Sequence, residues 1–265
     1  NYTVFSVWDT YRALHPLFNI IKRDVSTDLV KSMLTHYNQS VHHLLPVWSH
    51  MGNENWCMIG YHSVSVLADA ITKGLPINKQ EAIKAMVSSS NIPYYDHTDE
   101  YKQIGYVPFD KSSTSATITL ENAYEDWTIY HTALLLGDKQ IANTYKKRAL
   151  SYQNVFKPSL GFACPRYKDG SWKENIDLLS THGQGFIDGT VLMLVACTVF
   201  IHARLIDTVD VVRNGIGIRT YLYDAEWGAG TRKCMSHPVC SDDRVYQIGL
   251  LRHNRHSHAG KSDNQ

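Results

Sequence analysis

The sequence predicts a mainly α-helical chain whose helices pair around a ring, an α/α toroid. Three observations predict it. Apolar residues recur at three-and-four spacing over long stretches, the pattern of amphipathic helices. Strand signals are scarce through the first two thirds of the chain. The segments between the helical stretches are rich in aromatics, Gly and Pro, as loops around a pocket are.

The elements follow in order. A first helix is expected through Leu29, Val30, Met33, Leu34, Tyr37, Val41, Leu44 and Leu45, capped by Ser26 or Thr27 and ended by Pro46. A second is expected from near Trp56 to Thr72, stopping at Lys73-Gly74. It is apolar almost all round, so it should be buried. A third spans Lys79 to Ser88. A fourth runs from near Ser115 to Leu136, with Gly137 closing it, and a fifth from Lys139 to Asn154, ending before Pro158. No short repeat is visible beyond this helix-pair rhythm.

The character changes after Gly189, which divides the chain into a helical segment, 1–189, and a divergent tail, 190–265. Val191 to Val212 is apolar and β-branched without a helical face. Beyond it Gly, Arg, His and Ser mix with weak periodicity, and the last ~35 residues are expected to be poorly ordered.

Composition excludes several classes of function. Of 265 residues, 43% are hydrophobic and 19% charged, which suits a globular core rather than wholesale disorder. A net charge of +1 provides no field to gather nucleic acid. The longest apolar run, Val191 to Ile201, is too short to span a bilayer and is not placed as a signal peptide. The five cysteines contain no CxxC pair and do not settle the redox compartment. His237, His253, His256 and His258 have Arg252 and Arg255 for neighbours, and such cations oppose metal binding, so a solvated basic tail is the better reading. The sixteen Tyr and six Trp offer flat amphipathic faces that suit sugars and core packing alike. The opening at Asn1, with neither Met nor a charged leader, reads as a fragment of a longer protein.

Several blocks carry a resemblance. They are Phe5-Ser6-Val7-Trp8-Asp9-Thr10-Tyr11-Arg12, then Gly52-Asn53-Glu54-Asn55-Trp56-Cys57-Met58-Ile59-Gly60-Tyr61-His62, Gly105-Tyr106-Val107-Pro108 and Ala123-Tyr124-Glu125-Asp126-Trp127. Asn154-Val155-Phe156 to Gly161-Phe162, Pro165-Arg166 and Asp169-Gly170-Ser171-Trp172 continue the series. In this order they resemble glycoside hydrolase family 92, the calcium-dependent exo-α-mannosidases. The resemblance implies a β-sandwich followed by an (α/α)6 toroid. This chain would hold only the first part of the toroid, without the sandwich domain. It implies inverting hydrolysis of terminal α-linked mannose on glycans, Ca2+ gripping sugar hydroxyls, and a secreted, periplasmic or cell-surface location.

Chemistry selects residues within these blocks. An indole stacks on the C–H face of a pyranose, a carboxylate accepts from hydroxyls and a guanidinium donates in a fork. Trp8, Asp9 and Arg12 supply all three within five residues and suit the terminal-mannose subsite; a structural Asp–Arg pair is the alternative. Asn53 and Glu54 have two readings, contact with sugar or calcium and capping of the following helix. His62 reads as a core histidine rather than a catalyst.

By the resemblance, Gly183-Gln184-Gly185-Phe186-Ile187-Asp188-Gly189 carries the general acid. Asp188 stands where the family usually has Glu. Asp has a shorter arm, so Asp188 is a weakened acid, an acid for a differently placed bond, or a turn former beside Gly189. Inverting glycosidases need a second carboxylate to activate water. The Gly-Asn-Glu-Pro and Gly-Asn-Asp-Asp blocks that hold the base and much of the calcium site in the family do not occur here, and the surroundings of Asp242-Asp243 do not match them. The metal ligands are therefore expected in segments this chain lacks. Shifted by one frame, Met193 to His202 can be back-translated to Cys-Trp-Leu-His-Val-Pro-Tyr, which restores the family pattern, and a genuine divergent tail is the alternative. Two other functions stay open: a different α/α-toroid carbohydrate enzyme, and a non-catalytic glycan-binding helical module.

Overall fold

The computed structural model describes residues 2–177, 180 and 183–187; Asp188 and the whole 190–265 tail lie outside the described residues. The fold is mainly α. In order, the helices are α1 (Val7–Thr10), α2 (Leu14–Ile21), α3 (Arg23–Gln39), α4 (Ser63–Thr72), α5 (Lys79–Ser89), α6 (Thr98–Ile104), α7 (Ser115–Leu136) and α8 (Lys139–Ala149). Short strands punctuate them. β1 (Phe5–Ser6), β2 (Trp48–His50) and β3 (Asn53–Glu54) form an antiparallel sheet in that order, and β4 (Phe156–Lys157) pairs with β5 (Phe162–Ala163).

Three helices appear where the sequence places them. α5 starts after Asn78, whose side chain accepts from the Glu81 amide at 3.2 Å. α7 begins at Ser115 and closes at Gly137 as expected. α8 begins after Asp138, which caps the Ile141 amide at 2.9 Å; it reaches only Ala149, and Leu150–Val155 tightens into a 3-10 turn.

Two helices start or stop elsewhere. α3 begins upstream of Ser26 and Thr27, which are buried inside it rather than capping it. The Ser26 hydroxyl donates to the Asn19 side chain of α2, so packing between the two helices outweighs its capping preference. The chain leaves the helix at Ser40. Leu44 and Leu45 are buried from a loop instead, the Leu45 amide bonding to the Ser89 hydroxyl at 2.8 Å. α4 starts at Ser63 and not near Trp56, because side chains take the amides that a helix would need: Glu54 accepts from Asn55 and Trp56, and Asn55 from Cys57. Asn53 and Asn55 cap no helix. α1, α2 and α6 were not foreseen, being too short for a clear apolar period.

α7 sits at the centre, buried on nearly every side from Ser115 to Ala133, as an all-round buried helix must be when other elements pack on each face. Ile118 of α7 forms a cluster with Ile59, Tyr101 and Val107, and both Trp8 and Ile187 pack on that cluster. No helix among the described residues is long and apolar enough to cross a membrane.

Candidate functional site

The site is built on α7. Glu121 and Glu125 are four residues apart, so one helix face carries both carboxylates, an arrangement that repels unless a cation intervenes. His62, at the entry to α4 and fully buried, supplies it. Its Nδ1 lies 2.6 Å from Glu125 Oε1 and its Nε2 3.0 Å from Glu121 Oε2. The Ser65 hydroxyl donates to both Glu125 oxygens at 3.0 and 2.8 Å. The Tyr11 ring covers the imidazole, stacked at 4.3 Å and 2°.

Both imidazole nitrogens face carboxylate oxygens, so only the imidazolium can donate at both ends. Burial pulls the His62 pKa down. The charge and hydrogen bond of Glu121, then those of Glu125, outweigh that and raise it to about 9. Glu125 is pushed up by burial, against the opposing pull of His62 and Ser65. Gly60 makes room for the ring: at φ +76° it holds a left-handed turn, and a Cβ there would lie 2.6 Å from His62 Nε2.

Glu121 is also the point where the predicted sugar-facing residues meet. The Trp8 indole N–H donates to its two oxygens at 3.3 and 3.2 Å, and Arg12 Nη2 lies 3.6 Å from Oε1. The Arg12 guanidinium rests 4.7 Å from the ring centres of both Trp8 and Tyr11, with 39% of its side chain exposed. Trp8 and Arg12 thus form one aromatic–cationic face, anchored from beneath.

The other predicted residues are placed differently. Asp9 is exposed on α1, and the carboxylate that meets Trp8 and Arg12 is Glu121. Asn53 is exposed in β3 opposite His50. Glu54 is a brace. Its oxygens accept the amides of Val47 (2.7 Å), Trp48 (3.0 and 3.1 Å), Asn55 and Trp56 (3.1 Å each), fixing the β2–β3 hairpin. Asp188 lies outside the described residues, but the segment before it is docked. The Gly185 carbonyl accepts the Ala116 and Thr117 amides at 3.0 and 3.1 Å, satisfying two donors left open at the start of α7. The Gly185 amide donates to Ser113 O at 2.8 Å, and the Ile187 amide to the Thr117 hydroxyl at 3.3 Å. Gly185 has no room for a side chain; a Cβ would lie 2.0 Å from Pro165 Cγ.

Sequence reasoning missed Glu121 and passed over His62. A signal for the first existed: an acidic pair at helical spacing inside an otherwise buried helix demands a partner. Nothing in the local sequence marks His62 as that partner, since 59 residues separate it from Glu121.

A third acid on α7 serves another purpose. Asp126 accepts from Tyr61 (2.8 Å), Tyr101 (2.9 Å) and Arg148 Nε (2.9 Å), and Arg148 continues to Ser90 O (3.0 Å), tying α7 to α8. Burial raises the Asp126 pKa against the pull of Arg148.

The described residues do not fit the calcium that the family resemblance implies. No group of three or more His, Cys, Asp or Glu among them is arranged to hold a metal ion. The carboxylates at the site are ringed by donors, an indole N–H, a guanidinium and an imidazolium, which oppose a second cation.

Residues 1–210 match the model of the glycosyl hydrolase family 92 catalytic domain. Among solved structures, the family GH92 α-mannosidase BT3965 from Bacteroides thetaiotaomicron is 45% identical over 71% of this chain and 25% of its own, with a TM-score of 0.66. Its complex with mannoimidazole aligns over 78% of this chain and 30% of its own at 38% identity and a TM-score of 0.71. The family GH92 inverting mannosidase BT2199 from the same organism is 33% identical over 71% of this chain and 26% of its own, with a TM-score of 0.65. The chain therefore spans less than a third of the length of these solved relatives. A comparison with curated proteins gave no match.

Proposed function

Because the chain belongs to glycosyl hydrolase family 92, we propose that it forms part of the catalytic domain of an exo-acting enzyme that removes terminal α-linked mannose from glycans. One observation carries this reading. Trp8 and the segment leading to Asp188 pack on the same apolar cluster, and Glu121 stands one helical turn beyond Thr117, to which that segment is bonded. The residues proposed to face the sugar and the block in which the resemblance puts the acid thus lie beside one cluster, which supports assigning them to one site.

The roles follow from the chemistry. The Trp8 ring, fixed through its N–H, stacks on the C–H face of the terminal mannose. Arg12, laid over Trp8 and Tyr11 and half open to solvent, donates to sugar hydroxyls. Glu121 holds both in place, and His62 with Glu125 holds Glu121. Asp188 protonates the leaving oxygen. In an inverting enzyme a second carboxylate, roughly 6.5–9.5 Å away, activates water on the opposite face. That base and the calcium belong to this proposal through the family, as do the (α/α)6 toroid, the β-sandwich domain and an extracytoplasmic location.

Titration of the chain with methyl α-mannoside and with methyl α-glucoside, followed by tryptophan fluorescence or calorimetry, tests the reading. The manno sugar should bind more tightly, and Trp8→Ala should weaken it about tenfold. Equal affinity for the two sugars overturns the assignment. Hydrolysis of an aryl α-mannoside by this chain should be slight, since the family's base blocks do not occur in its sequence; turnover that survives Asp188→Asn removes Asp188 as the acid.

A further inference from the structure

We propose that Trp56 and Tyr94 form a second sugar-stacking surface beside the Trp8–Arg12 face, taking the pyranose on the leaving-group side of the scissile bond; this rests on the mannoside reading above.

The sheet provides the spacing. β1 and β3 both pair antiparallel with β2, so they run in the same direction and leave the sheet at the same end, where Trp48 lies. Trp8 is two residues beyond β1 and Trp56 two residues beyond β3. Strands that flank a shared neighbour are about 10 Å apart, the scale of two linked pyranose rings.

Trp56 is held rather than merely left outside. It is 36% exposed and Tyr94 62%, and their ring centres are 5.9 Å apart at 65°. His42 packs edge-on against both, at 5.2 and 5.6 Å, and is hydrogen-bonded to the Tyr94 hydroxyl. Tyr95 supports the Trp56 ring from a third direction at 5.0 Å. The Trp56 backbone is left-handed, at φ +61°, a conformation that a bulky side chain adopts only where its surroundings impose it. Glu54 imposes it: one oxygen accepts the Trp56 and Trp48 amides and the other accepts the Val47 amide just before β2. A loop pinned by a carboxylate to present a partly exposed indole from a left-handed turn is suited to binding.

A polar group joins the two faces. Asp96, itself left-handed at φ +48°, accepts the Gly60 amide at 3.0 Å, two residues before His62, while its neighbour Tyr95 lies against Trp56. Asp96 therefore ties the turn before His62 to the residue beside Trp56, and on this proposal its half-buried carboxyl meets a hydroxyl of a bridging disaccharide. Burial is the main cause lifting its pKa to about 7, with the nearby Glu121 charge adding to it, so near neutrality it can accept or donate.

The test compares methyl α-mannoside with an α-linked methyl mannobioside by calorimetry on the whole chain. The disaccharide should bind about five- to tenfold more tightly. Trp56→Ala and, separately, Tyr94→Ala should bring that ratio toward one, Trp56→Phe should recover part of it, and Trp8→Ala should weaken both sugars together. Melting curves of each variant identify any that fail to fold. A folded Trp56→Ala with an unchanged ratio overturns the platform and leaves the mannoside reading standing. Binding of neither sugar overturns both. Concentration-dependent self-association in the ultracentrifuge, abolished by Trp56→Ala without a change in the sugar ratio, would instead make the patch a protein contact.

Discussion

Two charged clusters share the helix α7, and they are built to opposite ends. At Asp126 the cation is Arg148, whose charge is permanent, and two buried tyrosine hydroxyls complete the shell. At Glu121 and Glu125 the cation is His62, a titratable ring, and one side of the cluster continues to a tryptophan and an arginine that reach solvent. The first is buried at its acid, with Arg148 only slightly exposed, and joins helix to helix. The second is sealed beneath and open above. The comparison teaches that burial of an acid on the central helix does not itself identify function; what the acid's partners touch next does.

The sharpest way to break that comparison is at the sealed cluster. Arg148→Met leaves Asp126 buried without its cation, and such a loss costs about 3–5 kcal/mol. Chemical denaturation should show it; a change below about 1 kcal/mol would mean that the pair is not sealed. His62→Gln should cost somewhat less, about 2–3 kcal/mol, because the amide keeps one hydrogen bond, and unlike Arg148→Met it should also weaken methyl α-mannoside binding in the protein that remains folded. If both variants affect stability and sugar affinity in the same proportion, the division between the clusters fails.

The smallest effect is the pH response, and its sign is fixed. The folded-state pKa of His62, about 9, lies above the unfolded value of 6.5. The bridge therefore contributes in full below pH 6.5 and is lost as pH rises through about 9. The cost of ionising the buried Glu125 offsets part of this contribution. Denaturation midpoints should fall between pH 7 and 10 in the native chain and fall less in His62→Gln. Parallel profiles would show that His62 is neutral and the bridge uncharged.

The sequence made different parts of this picture legible. α7 is visible because 22 residues of helical sequence end at a glycine; α5 and α8 start where expected, and the structure adds the caps, Asn78 and Asp138, that fix those starts. The extension of α4 back to Trp56 was wrong because apolar character reports burial, not conformation, and the amides there are claimed by side chains. Trp8 and Arg12 were legible as a pair, since they stand four residues apart in the sequence and the structure lays one over the other. Their carboxylate was not, because Asp9 is nearer in sequence while Glu121 is nearer in space. Glu54 shows the converse: its block was recognised, yet the side chain spends its oxygens on backbone amides and lends its rigidity to Trp56.

Gly185 has a consequence for how such a chain can change. Its φ of +99° and the 2.0 Å between a would-be methyl and the Pro165 ring leave the turn no tolerance for any side chain. Alanine there would act as a wedge, lifting the 183–187 turn from the start of α7 while every polar group of the site kept its identity. Displacement of about 1 Å is enough to lose most of the rate in enzymes generally. On the proposed function, a single added carbon atom three residues before Asp188 would then weaken the chemistry much as removal of the acid would.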